Sequence, residues 1–133
     1  MLGESPFWAM IPVADMDRAK AFYRDVLGMS PVKATDQWVS YRSGPSVFQL
    51  YPTQSAGTAS HTLGGWVVDD LAATMAELRG RGLSFEEYDF PGLHTEGGIA
   101  QIGSDERAAW FHDSEGNLLA IGEYAVDAAP GAE

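Results

Sequence analysis

The 133-residue sequence contains no cysteine. Disulfide bonds, thiolate metal ligands and a thiol nucleophile are therefore excluded. Basic residues are also scarce, because eight Lys and Arg stand against 19 Asp and Glu, for a formal net charge of −11. A field of that sign repels phosphate backbones and anionic lipid surfaces, and it attracts cationic small molecules. The charge therefore predicts a small-molecule ligand as partner, with no nucleic acid and no membrane.

Long apolar runs are absent as well. No stretch approaches the roughly 18 apolar residues of a membrane-spanning helix. The first residues have neither the basic start nor the apolar run of a signal peptide, which predicts a cytoplasmic location. With 45% hydrophobic and 20% charged residues, the composition is typical of a globular domain.

Several catalytic motifs are also missing. The glycine pairs lack the spacing of a phosphate-binding loop, and there is no Gly-x-Ser-x-Gly nucleophile elbow. Asp69 and Asp70 are placed to cap a helix, whereas Glu86 and Glu87 should point to opposite faces of a strand. The segment 113–117 is too short for a calcium loop and is predicted to be a turn. No catalytic residue is assigned from these patterns.

The pattern along the chain predicts secondary structure that occurs twice. An apolar strand at 7–14 precedes a helix capped by Asp15 and ended by Gly28. Strands are then predicted at 30–33, 37–42 and 47–51, and residues 52–60 form a connection. The second half repeats this order with a strand at 62–68, a helix ending near residue 80, a strand at 83–88, a loop at 90–98, and strands at 99–102, 107–112 and 118–124.

The two halves can be superimposed at nearly constant offset. Val13-Ala-Asp-Met matches Val68-Asp-Asp-Leu at an offset of 55 residues, and Leu27-Gly-Met-Ser matches Arg81-Gly-Leu-Ser at an offset of 54. Strand, capped helix, glycine and strand recur in the same order. The chain therefore contains an internal duplication.

Two sets of motifs resemble one superfamily. The first is Ile11-Pro-Val-x-Asp15-x-x-Arg18-Ala19-x-x-Phe22-Tyr23-x-x-x-Leu27-Gly28; the second comprises Val68-x-Asp70-Leu71, Arg81-Gly82 and Asp113-Ser-Glu-Gly116-Asn117. Over residues 7–124 the chain resembles the vicinal oxygen chelate superfamily of glyoxalases, bleomycin-resistance proteins and extradiol dioxygenases. The segment 88–100 and the sequence Ala109-Trp110-Phe111 are similar to a subgroup of glyoxalase-like proteins.

The resemblance implies an α+β fold of two tandem βαβββ modules, which form a curved mixed sheet around a concave pocket. Residues 1–133 would then be one glyoxalase-like domain, with module one at about 7–52, module two at about 61–124 and an acidic tail at 125–133. The resemblance also implies a homodimer. It leaves open whether the modules pair within one chain or between two.

The resemblance also implies where metal ligands would lie. Counted from the motifs, the usual ligand positions hold Trp8, Leu63 and Ala120, and near the fourth position only Gln49 has a donor atom. Because Mn, Fe and Zn sites need His or carboxylate at several such positions, we expect no metal and no cofactor.

A metal site that uses histidines at other positions remains an alternative. The least remote combination is His61 with Glu123 or Glu96, but Glu123 should point away from the concave face if Ala120 faces it. His94 and His112 are expected to be surface or loop residues.

Strand alternation places an aromatic and apolar set on the concave face. The candidate ligand-binding residues are Trp8, Met10, Trp38, Arg42, Gln49, Tyr51, Leu63, Trp110, Ala120 and Tyr124. Such a lining predicts a metal-independent protein that binds, and sequesters, a planar or cationic compound. The alternatives are a metal-dependent lyase, isomerase or dioxygenase with displaced ligands, and an interaction module whose concave face is filled by its own side chains.

Overall fold

The computed structural model describes residues 1–125, so residues 126–133 of the tail predicted at 125–133 lie outside the described residues. The chain divides into two compact units. The first unit comprises Met1–Thr58 and the turn Ser114–Asn117, and the second comprises Ala59–Asp113 and the described residues from 118 onward. Among the described residues, no helix has the length and apolar character that crossing a membrane requires.

The first unit has the βαβββ order. After a short 3-10 turn, its elements are β1 (Ala9–Val13), α1 (Met16–Asp25), β2 (Pro31–Ala34), β3 (Val39–Ser43) and β4 (Ser46–Pro52). The sheet order is β1-β4-β3-β2, with β1 parallel to β4 and the other pairs antiparallel. The α+β fold class and the modular order predicted from the sequence are therefore confirmed.

Helix α1 begins where the sequence predicts. The Asp15 side chain accepts a hydrogen bond from the Arg18 amide at 3.0 Å, which satisfies a donor that the helix itself leaves free. Tyr23 on this helix is fully buried, and its ring packs against Tyr41 and Phe48 at centroid distances of 5.7 and 6.1 Å. This aromatic contact fixes which face of the first sheet lies under the helix.

The second unit has a larger sheet. Its elements are β5 (Gly64–Val67), α2 (Leu71–Gly80), β6 (Asp89–Phe90), β7 (Leu93–Glu96), β8 (Ile99–Ile102), β9 (Glu106–His112) and β10 (Leu118–Tyr124). The order is β5-β10-β9-β8-β7-β6, with β5 parallel to β10. Asp70 caps α2 through the Ala73 amide at 3.0 Å. The repeated capped helix predicted from the sequence is thus present.

The segment after α2 differs from the prediction. Residues 83–88 form no strand, because their backbone makes isolated hydrogen bonds, such as Glu86 N to Trp110 O at 2.8 Å, instead of a ladder. The predicted loop at 90–98 contains β7, which pairs with both β6 and β8. Gly97 and Gly98 both have positive φ and form the turn between β7 and β8. From the sequence alone, this glycine pair is identified only as lacking the spacing of a phosphate-binding loop.

Candidate functional site

Each sheet has a helix-free face, which we define as the face opposite its helix. In the first unit, Tyr41 and Phe48 face α1, so alternation turns their neighbours the other way. The register places Met10, Gln49 and Ser40 side by side across β1, β4 and β3. These residues form a row on the helix-free face.

Most of the predicted residues of the first unit lie near this row. Trp8 and Met10 are exposed, Gln49 is half-buried, and Tyr51 is exposed opposite Pro12. The exposed aromatic and thioether groups are therefore available to a ligand.

Two further predicted residues lie in or next to strand β3 of the same sheet. Arg42 is exposed opposite Val47. Trp38 is half-buried, and the Lys33 ammonium lies 5.8 Å from its ring centroid. The Trp38 ring therefore makes a cation–π contact within its own unit.

The second unit has a cavity of about 200 Å³ over its helix-free face. Strands β5, β9 and β10 line it. The lining residues are Gly65, Trp66, Val67, Glu106, Ala108, Ala120, Ile121, Gly122 and Tyr124. The Trp66 ring is stacked on Phe111 at 6.1 Å and belongs to the core on the opposite face.

Small side chains make room for this cavity. Gly65 lies beside Ala120, and Val67, Gly122 and Ala108 form the next row across the three strands. A Cβ atom added to Gly65 would lie 2.5 Å from the Ala120 carbonyl oxygen, so this position admits only glycine without a backbone shift. The floor of the cavity is therefore formed largely by backbone and methyl groups.

Two polar side chains stand at one end of this floor. Glu106 and Tyr124 are opposite each other in the β9–β10 ladder, and both are half-buried. Partial burial, and then the neighbouring Glu106 carboxylate, raise the pKa of the Tyr124 phenol above its ordinary value. The cavity thus combines a floor of backbone and small side chains with a carboxylate and a neutral phenol.

The structure brings together only part of the predicted set in the second unit. Ala120 and Tyr124 line the cavity, whereas Leu63 and Trp110 do not. Leu63 is half-buried at the approach to β5. The Trp110 ring packs edge-on against Tyr88 at 5.6 Å.

Several lining residues are not among the candidates predicted from the sequence. Gly65, Glu106 and Ala108 were overlooked, although the register of the predicted hairpin would have found the latter two. Glu106 lies one residue before the predicted start of its strand. Its partner across the hairpin, Tyr124, was on the candidate list.

Carboxylates that could serve a metal are engaged elsewhere. Glu123 accepts a hydrogen bond from the Leu71 amide at 2.9 Å and pairs with Arg107 at 2.9 Å. The Leu71 bond and then Arg107 lower the pKa of this carboxyl. Glu123 therefore faces the helix side, as the alternation argument required. In residues 1–125, no group of three or more His, Asp or Glu side chains is arranged to hold a metal ion.

The histidines lie apart from the cavity lining. His61 is exposed. His94 lies between Asp89, 3.2 Å from Nδ1, and Glu96, 3.4 Å from Nε2. The hydrogen bond to Asp89 and then that to Glu96 raise the pKa of the His94 imidazole. His112 Nδ1 is 2.6 Å from Glu86 Oε1. The contacts of His94 and His112 are side-chain contacts with carboxylates near the surface.

A buried carboxylate in the first unit has a structural function. Glu115 accepts hydrogen bonds from the Ala14 and Asp15 amides at 2.9 and 2.8 Å, and its side chain is fully buried. Arg18 binds both of its oxygens through Nε and Nη2, at 2.8 and 3.0 Å. The hydrogen bond from Arg18 has the largest effect on the pKa of Glu115, and the other donors act in the same direction. Together they lower this pKa to about 2, although burial by itself would raise it. The segment 113–117 therefore serves as a structural turn, as predicted.

Two βαβββ-type units, each with one capped helix on one face of a mixed sheet, define the architecture of the vicinal oxygen chelate proteins. The model of the Glyoxalase/Bleomycin resistance protein/Dioxygenase superfamily matches residues 6–121. The chain belongs to this superfamily. A search of curated proteins returned no match.

Solved structures share the fold at low sequence identity. Lactoylglutathione lyase from Agrobacterium tumefaciens is 20% identical, with a TM-score of 0.67 over 90% of this chain and 93% of that one. TnmS3, an antibiotic binding protein from Streptomyces sp. CB03234, is 19% identical, with a TM-score of 0.62 over 92% and 98%. The fosfomycin resistance protein FosX from Listeria monocytogenes, in complex with Mn(II) and sulfate, is 7% identical, with a TM-score of 0.69 over 93% of both chains.

Proposed function

We propose that this protein is a metal-independent small-molecule-binding protein of the glyoxalase/bleomycin-resistance type, which sequesters a planar or cationic compound. The observation that carries the proposal is the cavity of the second unit. Its floor is formed by backbone and small side chains, and its polar side chains are Glu106 and Tyr124. An apolar recess with few polar groups is the usual form of a small-molecule site.

The residue types at the family's ligand positions support metal independence. Trp8, Leu63 and Ala120 have no lone pair suited to a divalent cation. Glu123, the carboxylate nearest to Ala120 in β10, is held by the start of α2 and by Arg107. The residues present do not fit a metal centre of the type found in the superfamily's enzymes.

Charge and exposure support a planar or cationic ligand. The net charge of −11 favours the approach of cations. The proposal also includes the helix-free face of the first unit, where Trp8, Met10 and Tyr51 are exposed. Aromatic faces attract cations with about 0.5–2 kcal/mol, depending on desolvation. An antibiotic binding protein among the fold neighbours is consistent with sequestration.

Tryptophan fluorescence tests the proposal with 9-aminoacridine, a planar cation, on protein dialysed against a chelator. We expect saturable quenching that Ala120→Leu weakens about tenfold or more, because the larger side chain fills the cavity, whereas Ala120→Ser retains it. The loss of quenching in Trp8→Ala or Trp38→Ala would show that the helix-free face of the first unit also binds the compound. Equal affinity of Ala120→Leu and wild type would contradict binding in the cavity.

Elemental analysis of untagged protein tests metal independence. We expect no stoichiometric Mn, Fe, Ni or Zn, and no calorimetric binding at micromolar concentrations. Bound metal that disappears on His61→Ala would instead favour the metal-dependent lyase, isomerase or dioxygenase with displaced ligands.

The proposal further includes a cytoplasmic homodimer. Size-exclusion chromatography with light scattering tests the dimer, and a measured mass equal to the monomer mass of 14.3 kDa would refute it.

A further inference from the structure

The Glu106 carboxylate is positioned by a glycine in the neighbouring strand. A Cβ atom added to Gly122 would lie 3.2 Å from Glu106 Oε2, and the next nearest atom, Cε2 of Tyr124, is 3.7 Å away. The carboxylate therefore lies over the Gly122 backbone, so close that a Cβ atom at position 122 would require it to shift by a few tenths of an ångström. Glycine at position 122 accommodates the carboxylate at this position without a close contact.

Glu106 has no cationic partner in the described part of the second unit. The unit contains three arginines and no lysine. Arg107 pairs with Glu123 and Arg81 with Glu77, while Arg79 binds the Gly97 carbonyl oxygen and lies 5.2 Å from the Phe85 ring. The nearest arginine in sequence, Arg107, points to the opposite face because strand side chains alternate.

The second-unit cavity is small for a complete ligand. Its volume of about 200 Å³ lies below the roughly 300–1,000 Å³ of typical ligand pockets. It therefore suits one flat end group of a ligand. The floor would contact the plane of this group, and the carboxylate would meet its edge.

We propose that Glu106, held over Gly122, selects a positively charged nitrogen group, an amidinium or a protonated amine, on the flat end of the ligand. This inference rests on the proposed function and names the chemical class that the cavity recognises. Glu106 is the specificity-determining residue, and Gly122 is a positioning residue. Ligands with a neutral end group of the same shape bind more weakly.

Benzamidine and benzamide provide a matched pair of probes, because they have nearly the same shape and differ in charge. NMR titration of the full chain can follow the backbone amides of Gly65 and Gly122, which lie in the cavity floor. A hydrogen bond with a charged partner gives benzamidine an advantage of about ten- to a hundredfold in affinity. We expect this preference in the wild-type protein.

Three variants separate charge from position. Glu106→Gln removes the charge in the cavity, and the affinity ratio of the two probes should fall to about one. Gly122→Ala keeps the charge but shifts the carboxylate by a few tenths of an ångström, and the ratio should fall about twofold or more. Glu77→Gln, on an exposed face of α2, changes the net charge equally and should leave the ratio unchanged. Retention of the near-ultraviolet dichroism spectrum verifies the fold of each variant.

The outcomes distinguish this inference from the proposed function. A wild-type ratio near one, or a preference that survives Glu106→Gln, overturns the inference while cavity binding stands. A preference that Gly122→Ala leaves intact overturns the positioning role of Gly122. The absence of shifts at both glycine amides with either compound overturns ligand binding in this cavity, and the inference with it.

Discussion

The buried carboxylate of Glu115 should make stability depend on pH in a defined window. Its pKa is about 2 in the folded protein, against an ordinary value of 4.5. This difference corresponds to about 3 kcal/mol of folding free energy. Since the folded pKa is lowered, this stabilisation is complete above pH 4.5 and is lost as the pH falls towards about 2.

The substitution Glu115→Gln isolates this contribution. It keeps the side-chain volume, but it removes the negative charge. That charge pairs with Arg18 and strengthens the hydrogen bonds that the carboxylate accepts from the Ala14 and Asp15 amides. We expect the variant to be less stable than wild type by about 3 kcal/mol at neutral pH. Because protonation removes the same charge from the wild-type side chain, the difference should shrink below pH 4.5 and nearly vanish near pH 2.

Urea unfolding followed by tryptophan fluorescence at a series of pH values measures both stabilities. Because wild type and variant share all other carboxylates, the contribution of those groups to the pH dependence cancels in the stability difference. Glu77→Gln is a matched control, since its side chain is 69% exposed and its stability difference should stay small at every pH. A Glu115→Gln difference that is independent of pH, or absent at neutral pH, would refute the reasoning.

Three further substitutions test other parts of the structure by urea unfolding. Arg18→Ala should cost about 3 kcal/mol or more, because it leaves the buried Glu115 carboxylate without its cation; a cost below about 1 kcal/mol would contradict this. Gly65→Ala should cost about 1–3 kcal/mol, because its Cβ would lie 2.5 Å from a neighbouring carbonyl oxygen, whereas Gly64→Ala, with no atom within 4 Å, should be nearly neutral. Tyr41→Phe should be neutral or stabilising, since the buried Tyr41 hydroxyl has no hydrogen-bond partner among the described residues; a loss above about 1 kcal/mol would show that the hydroxyl is satisfied.

The sequence by itself determined the modular order and the helix starts. The motifs around Asp15 and Asp70 are local, and a capping side chain acts on an amide only three residues away. The repeat of these motifs at offsets of 55 and 54 was sufficient to indicate duplication. Alternation within β10 likewise separated Glu123 from Ala120, because the two-residue period of a strand needs no tertiary information.

Strand pairing in the middle of the second unit required the tertiary structure. Residues 83–88 begin with the alternation of apolar and polar residues that is typical of a strand, yet no neighbouring strand in residues 1–125 completes a ladder with them. The following glycine-rich segment contains β7, because β6 and β8 pair with its two edges. A pattern indicates which residues can extend, whereas a strand also requires a partner.

The most informative contacts join residues that are far apart in the chain. Glu115 reaches Arg18 across 97 positions, and Glu106 lies over Gly122 because β9 and β10 set that register. Nothing in the local sequence distinguishes Glu106 from the exposed acids around it. Only the tertiary structure decided which carboxylates are buried, paired or folded into a cavity, because burial and pairing depend on neighbours that the chain brings together when it folds.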